Sequence, residues 1–352
     1  MGRTAGALGA IAVLLALGAA ASGQTVRSAG RGNVKGATTI KEGPSGTTKA
    51  TSTPAPAAGP VRAAWAPKTT FESVHFSIGL DFDDEAYAEK LAGDLERHYS
   101  RLQKEFWDFV RPENREGHVW LVVFDATEAF DAYGAADVGV PPGEKGYSNK
   151  RTNRIVILRQ IDPAKDLVIA VHELSHVFVR WSTTAGAPMW LDEGLAAYYA
   201  NYAGGECGWV EAGADGVSRG LLYTIDEALK AGAFVSVGTL LRMNDAEFYG
   251  PASNLNYAEA WALVYYLRHG FGANSDRLFS EYYSAVARGE DGYAAFAGTY
   301  GANREFGNMW LAYLKGLYRG VNAAPATAEP VVPSARAIKE NVESGGAPDG
   351  AK

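Results

Sequence analysis

Apolar and polar residues alternate along Phe71–Phe82 (FESVHFSIGLDF), which predicts a strand at the start of a folded body. Asp83 and Asp84 then open a stretch reaching about Val110 in which Tyr87, Leu91, Leu95, Tyr99, Leu102 and Phe106 recur at helical spacing. That stripe predicts a long amphipathic helix. The unbroken apolar run His118–Asp125 (HVWLVVFD) predicts a buried strand, DATEAFDAYG a short helix, and the glycines and prolines through Gly146 a loop. Asn153–Leu158 (NRIVIL) predicts a further strand and, as the last before the next helix, the expected sheet edge. Asp162 and Pro163 supply an N-cap and a first-turn residue for that helix, which runs through Val171–Arg180. Trp181–Pro188 (WSTTAGAP) is a short, turn-forming connection to a second helix whose Trp190, Leu191, Leu195 and Tyr198 face inward.

Beyond it, the glycine-rich Ala203–Gly220 predicts a loop suited to act as a lid. Short helices are expected over Ile225–Ala231, Val237–Met243 and Ala246–Tyr249, and longer ones over Tyr257–His269, Arg277–Val286 and Arg304–Tyr318. There is no internal repeat. The pattern implies an α+β fold: a small mixed β-sheet, with an edge strand over a cleft, packed on the Val171–Arg180 helix and a largely helical C-terminal half.

Composition marks off the flanks. Met1–Gly23 has the form of a signal peptide, with Arg3 in the n-region, apolar Ala7–Leu17, and small residues at Ala21 and Gly23. It predicts export to the periplasm or exterior; the alternative is an uncleaved N-terminal anchor. Residues 24–68 are low in large apolar side chains and carry seven Lys or Arg against one acid, Glu42, as expected of a disordered basic linker. Residues 69–320 form the predicted domain and residues 321–352 a disordered tail. From Thr69 onward there are 25 basic and 39 acidic residues, an acidic body that argues against nucleic-acid binding. No stretch after the first is long and apolar enough to cross a bilayer, so stable membrane insertion after signal cleavage is not expected. Cys207 alone excludes an internal disulfide or a cysteine-rich metal site. Nothing in the sequence sets an oligomeric state.

The chemistry concentrates in VHELSHVFVR, Val171–Arg180. His172 and His176, four apart on a helix, share one face and can offer two imidazole nitrogens to one metal ion. Glu173 is then placed beside that ion to take a proton from an activated water. A catalytic zinc wants three protein ligands and an open position. Glu193, seventeen residues after His176 in the facing helix, completes a His-His-Glu set for one Zn2+ ion.

HELSH followed by WLDEGLA resembles the gluzincin metallopeptidases, the clan of thermolysin and the zinc aminopeptidases, and most closely its peptidase-MA-like members. The resemblance implies His172, His176 and Glu193 as zinc ligands, Glu173 as general base, and a peptide or protein substrate. The interval before Glu193 is a little shorter than in the aminopeptidases. Asn256–Gly270 is similar to the aminopeptidase helix that opens YxKG, which gives Tyr257 the role of oxyanion stabiliser. Gly146–Leu158 lies where those enzymes place a GxMEN loop and a substrate-holding edge strand, but Tyr147, Ser148 and Asn149 replace the residues that include the amine-gripping glutamate. Aminopeptidase activity of that type is therefore not implied. An extended peptide can instead add to the edge strand through its backbone.

Blander readings accompany several residues. Tyr257 also fits a plain core position, and Asp192 and Glu259 are either partners of a ligand histidine or surface charges. His75, His98, His118 and His269 have no motif and are expected to be structural or exposed, and Cys207 an incidental loop thiol. The function expected is a zinc metallopeptidase. The rivals are a catalytically inactive peptidase-like module that docks a partner, and a hydrolase of an ester or a cell-wall cross-link.

Overall fold

The computed structural model describes residues 65–206, 216–302 and 304–322. The expected signal peptide, the linker up to Ala64, the tail from 323, and residues 207–215 of the expected lid, Cys207 included, lie outside the described residues.

A five-stranded sheet is built from β1 (Thr69–Glu72), β2 (Phe76–Leu80), β3 (Val119–Phe124), β4 (Gly146–Ser148) and β5 (Ile155–Leu158), in spatial order β1-β2-β3-β5-β4. The three inner strands run parallel and the outer two antiparallel to their neighbours. Helix α1 (Glu85–Phe106) connects β2 to β3, and α2 (Thr127–Asp137) follows β3. All four residues of β5 and five of the six in β3 are buried, as the apolar runs require of strands covered on both faces.

Three expectations are corrected here. Phe71–Phe82 is two antiparallel strands, not one. The Glu96 carboxylate on α1 accepts from Ser73 Oγ and the His75 N–H, both at 2.7 Å, and so fixes a turn across which the polar alternation continues. Asn153–Leu158 is not the sheet edge: β4 lies outside β5 and takes that place. At three residues, β4 is too short for its alternation to register, and it starts at Gly146, the last residue of the expected loop. Finally, the expected loop beginning at Ala203 starts later, because helix α4 (Met189–Glu206) continues four residues into it.

The helical half holds α3 (Pro163–Ser182) against the sheet, α4 beside it, α5 (Arg219–Ala231), α6 (Val237–Leu240), α7 (Asp245–Phe248), α8 (Ser253–His269), α9 (Ser275–Ala287), α10 (Gly292–Tyr300) and α11 (Arg304–Asn322). Helix α3 begins as expected: Asp162 accepts from the Ala164 N–H at 3.0 Å and Pro163 occupies the first turn. From Asp166 to Ser182 every residue but Arg180 is buried, so α3 runs through the middle of the molecule and not along its surface. Helix α10 was not foreseen, since GYAAFAGTY carries two glycines; packing of Phe296 and Tyr300 on Tyr282 outweighs that local penalty.

Two glycines set the spacing around α3 and α4. A Cβ on Gly194 would sit 2.6 Å from the Ala260 carbonyl oxygen, so α4 and α8 meet backbone to backbone there. A Cβ on Gly146 would sit 2.5 Å from Ile169 Cγ2, which lets β4 lie close against α3.

Candidate metal centre

Helices α3 and α4 are joined by residues 183–188, with Gly186 at φ 85° in the turn. Each offers one face of polar side chains to the other in an otherwise apolar contact. From α3 come His172 and His176, from α4 Asp192 and Glu193, and all but the half-buried Asp192 are buried. The two histidine Nε2 atoms face each other at 3.2 Å, and Glu193 Oε2 lies 3.3 Å from His172 Nε2 and 3.6 Å from His176 Nε2. One ligand atom from each of these three residues falls within 4.8 Å of the others.

The outer atoms of the three groups are engaged elsewhere. His176 Nδ1 meets Asp192 Oδ1 at 2.7 Å, and Glu193 Oε1 accepts from the Tyr249 hydroxyl. Glu193 Oε2 is buried and has no hydrogen-bond partner among the described residues. An orphaned carboxylate oxygen beside two imidazole nitrogens is costly unless a cation takes their lone pairs. The separations suit that outcome. Tetrahedral zinc with bonds of about 2.0–2.1 Å holds its ligands roughly 3.3–3.4 Å apart. Two nitrogens and one oxygen are also a zinc donor set. The local field has the same sign preference: burial disfavours a charged His176, yet the Asp192 and Glu193 carboxylates outweigh it and raise its pKa to about 9. The residues present therefore fit a divalent cation.

Around the three donors the remaining candidates fall into place unequally. Glu173 is 4% exposed and follows His172 by one position on α3. Tyr257, on the first turns of α8, is also buried, edge-on to Phe248 and with its ring 6.2 Å from that of Tyr249. Burial first, then the charges of Glu193, Glu144 and Glu173, push its phenol well above the ordinary value, which keeps it protonated and able to donate. Of the two suggested histidine partners, Asp192 is the one found on a candidate histidine, His176. Glu259 is fully buried and points elsewhere, accepting from the Val235 N–H at 2.9 Å. Neither is a free surface charge.

Tyr249 was missed. It ends α7, where Asn244 and Glu247 form a reciprocal cap and the Asn256 amide donates to the Phe248 carbonyl at 2.8 Å, fixing the segment against α8. The sequence carried a faint signal, an Asn-x-x-Glu capping box just before the tyrosine, but nothing to say that the phenol would reach Glu193. Arg180 was also overlooked. One turn beyond His176, it donates to Asn153 Oδ1 and Ser148 Oγ, both at 3.2 Å, and ties α3 to the β4–β5 hairpin.

The hairpin itself is held by a buried ion pair, Arg154 to Asp137 at 2.6 Å, with the Tyr147 hydroxyl and Asn149 amide also donating to Asp137. Thus Tyr147, Ser148 and Asn149 brace the edge strand. Among the other histidines, His75 pairs with Glu96 at 2.7 Å and stacks on Tyr99, His98 is buried, and His118 and His269 are exposed.

Residues 169–288 match a family model described as a protein of unknown function (DUF1570). That span takes in His172, His176, Glu193, Tyr249 and Tyr257. No curated protein matches. Among solved structures, native yeast LTA4 hydrolase is similar, with a TM-score of 0.42 and 11% identity over 74% of this chain and 39% of that one. The chain therefore spans well under half the length of that protein.

Proposed function

We propose that this chain is a zinc-dependent peptidase, with His172, His176 and Glu193 as the metal ligands. The observation that carries the reading is the convergence of three buried donor atoms on one point, with Glu193 Oε2 left without any other hydrogen-bond partner among the described residues. When bound, zinc supplies Lewis-acid chemistry, polarising a carbonyl and bringing the pKa of water toward neutrality. Glu173 accepts the proton of the attacking water and returns it to the leaving amine. The Tyr257 phenol, kept protonated by burial, donates to the oxygen that gains charge as the carbonyl is attacked. Tyr249 and Asp192 orient Glu193 and His176 and touch no substrate.

The edge strand β4 supports a peptide as the substrate class. Its outer edge has no strand beside it among the described residues, and it is braced to α3 through Arg180, so an extended peptide pairing with it lies along the metal helix. We place the activity outside the cytoplasm, on the export signal expected at Met1–Gly23.

Purified wild-type protein is expected to carry one zinc per chain by metal analysis and to cleave members of a mixed peptide library in a chelator-sensitive way. Glu173→Gln should keep the zinc and lose about 10²–10⁴ of the turnover. Cleavage by Glu173→Gln at the wild-type rate would overturn the role of Glu173. Zinc without any cleavage in the wild type would make the chain a docking module and not a peptidase.

A further inference from the structure

Strand β4 follows the metal helix in the same direction. Gly146 at its start packs on Ile169, three residues before His172, and Ser148 at its end accepts from Arg180, four residues after His176. The two histidines therefore lie between the ends of the strand. The chain then leaves β4 through the turn Asn149-Lys150-Arg151-Thr152-Asn153-Arg154. With Arg180, which bonds Asn153, this brings four cations together in a body where acids outnumber bases 39 to 25.

Two of the four cations are committed. Arg154 is buried and paired with Asp137 at 2.6 Å, and Arg180 holds Asn153 and Ser148 and lies in the field of Asp192 and Glu173. The other two are not. Lys150 and Arg151 are exposed, and neither side chain forms an ion pair among the described residues. The backbone that carries them is fixed from below. Asn149 Oδ1 accepts from the Arg151 N–H at 2.9 Å and the Thr152 N–H at 3.3 Å, while the Asn149 amide donates to Asp137 at 3.1 Å. The two acids beside the turn have closer partners, Asp137 in Arg154 and Asp192 in His176 at 2.7 Å. Lys150 is near enough to Asp192 for its charge to act there, which sets the turn beside the metal centre and not on a remote surface.

The pairing edge of β4 is continuous with this turn, so a peptide laid along it passes from the metal centre toward Lys150 and Arg151. From the midpoint of His172 and His176 to Arg180 is six residues of helix, roughly 9 Å, which an extended chain covers in about three residues. An anion at that distance meets two unpaired cations. Exposed charge complementarity of this kind decides between substrates more than it adds affinity.

We infer that the β4–β5 turn is the specificity-determining end of the peptide groove, and that it selects peptides with an acidic side chain about three residues from the bond to be cleaved, held by Lys150 and Arg151. The inference rests on the peptidase reading above and names the substrate class within it.

Zinc-loaded wild-type protein is offered quenched fluorescent peptides that differ only in carrying Glu, Gln or Lys at successive positions on both sides of the scissile bond. The expected result is a kcat/KM about threefold to tenfold higher for Glu than for Gln at one position about three residues from the bond, with Lys lower still and the preference shrinking as salt is raised. The side on which it falls reports whether the peptide pairs with β4 in the parallel or the antiparallel sense. Combined Lys150→Gln and Arg151→Gln should bring the ratio of Glu to Gln near one with an unchanged melting temperature, and combined Lys150→Arg and Arg151→Lys should keep it. The same peptides, labelled and titrated against zinc-loaded Glu173→Gln protein by fluorescence anisotropy, should show the preference for Glu in binding without turnover.

Cleavage with no preference for Glu at any position overturns the turn as a specificity element and leaves the peptidase reading standing. A preference that survives the loss of both cations overturns it too. Failure to cleave any peptide removes the peptidase reading instead, and the anisotropy then decides: tighter binding of Glu peptides that is lost in the double variant keeps the turn as an acidic-peptide site, and equal binding of Glu and Gln peptides rejects it.

Discussion

The Tyr249 hydroxyl donates to Oε1 of Glu193, and the other carboxylate oxygen, Oε2, is thereby left for His172 and His176. The tyrosine acts on the carboxylate much as Asp192 acts on His176, by occupying the atom that does not face the centre. Partners of this kind are typically worth 10-fold to 100-fold in metal affinity. Tyr249→Phe is accordingly expected to fold normally and to bind zinc about 10-fold to 100-fold more weakly, as read by competition with a chromogenic chelator. An unchanged affinity would mean that Glu193 is held by packing alone.

Much of this arrangement was legible in the sequence, and the boundary between what was and was not has a physical origin. His172, His176 and Glu173 sit within one helical turn, where the period of the helix fixes their relation, and Glu193 follows in the very next helix across a connection too short to go elsewhere. Tyr249 reaches Glu193 across 56 residues, through the packing of α7 on α4 and α8, and no local period encodes such a contact. The edge of the sheet was misassigned for a related reason. Strand order is a non-local property, and the apolar run of β5 reports burial without saying which neighbour provides it. The buried pair Arg154 and Asp137, which braces β4, joins residues 17 apart that no local period relates.

Gly194, within the WLDEGLA motif, has a structural role that can be tested directly. A methyl group there would meet the Ala260 carbonyl oxygen at 2.6 Å and Val264 Cγ2 at 2.8 Å, and the first of these is backbone that cannot rotate away. Gly194→Ala is expected to destabilise the protein by about 1–3 kcal/mol, the usual cost of overpacking, despite the better helix propensity of alanine. Urea denaturation measures it. A stability equal to or above wild type would show that α4 and α8 are not in backbone contact at this point.

Glu259 gives a pH dependence of defined sign. Burial raises its pKa from 4.5 to about 8, only partly offset by the Val235 N–H that donates to it. In the unfolded chain the carboxyl loses its proton near pH 4.5, while in the native state it keeps it until about pH 8. Across that window the unfolded state binds fewer protons, so this group's contribution is complete below pH 4.5 and is lost as the pH rises to 8. Glu259→Gln removes the titration. Its stability relative to wild type should climb between pH 5 and pH 8, by an amount on the order of a few kcal/mol. Parallel stability curves for the two proteins over that range would rule out a raised Glu259.

The two tyrosines beside Glu193 have rings 6.2 Å apart, Tyr257 buried and Tyr249 half-buried, yet they are assigned different work, and a pair of single-atom deletions separates them. Tyr249 hydrogen-bonds Glu193, a proposed metal ligand, so removing its hydroxyl should lower metal affinity, and saturating zinc should restore most of the turnover. Tyr257 lies in the field of Glu193 and Glu173, and its hydroxyl is assigned to the charge that develops only as the peptide carbonyl is attacked. Loss of one such donor typically costs about 10²–10³ in kcat. Tyr257→Phe should therefore hold zinc as tightly as wild type and bind substrate with an unchanged KM, while kcat falls by about that factor and added zinc restores nothing. A wild-type kcat in Tyr257→Phe would return this tyrosine to the apolar core of α8 and leave the oxyanion to the metal. A fall that zinc reverses would instead place both hydroxyls in the support of Glu193, since the deficit would then lie in binding the ion and not in stabilising the transition state.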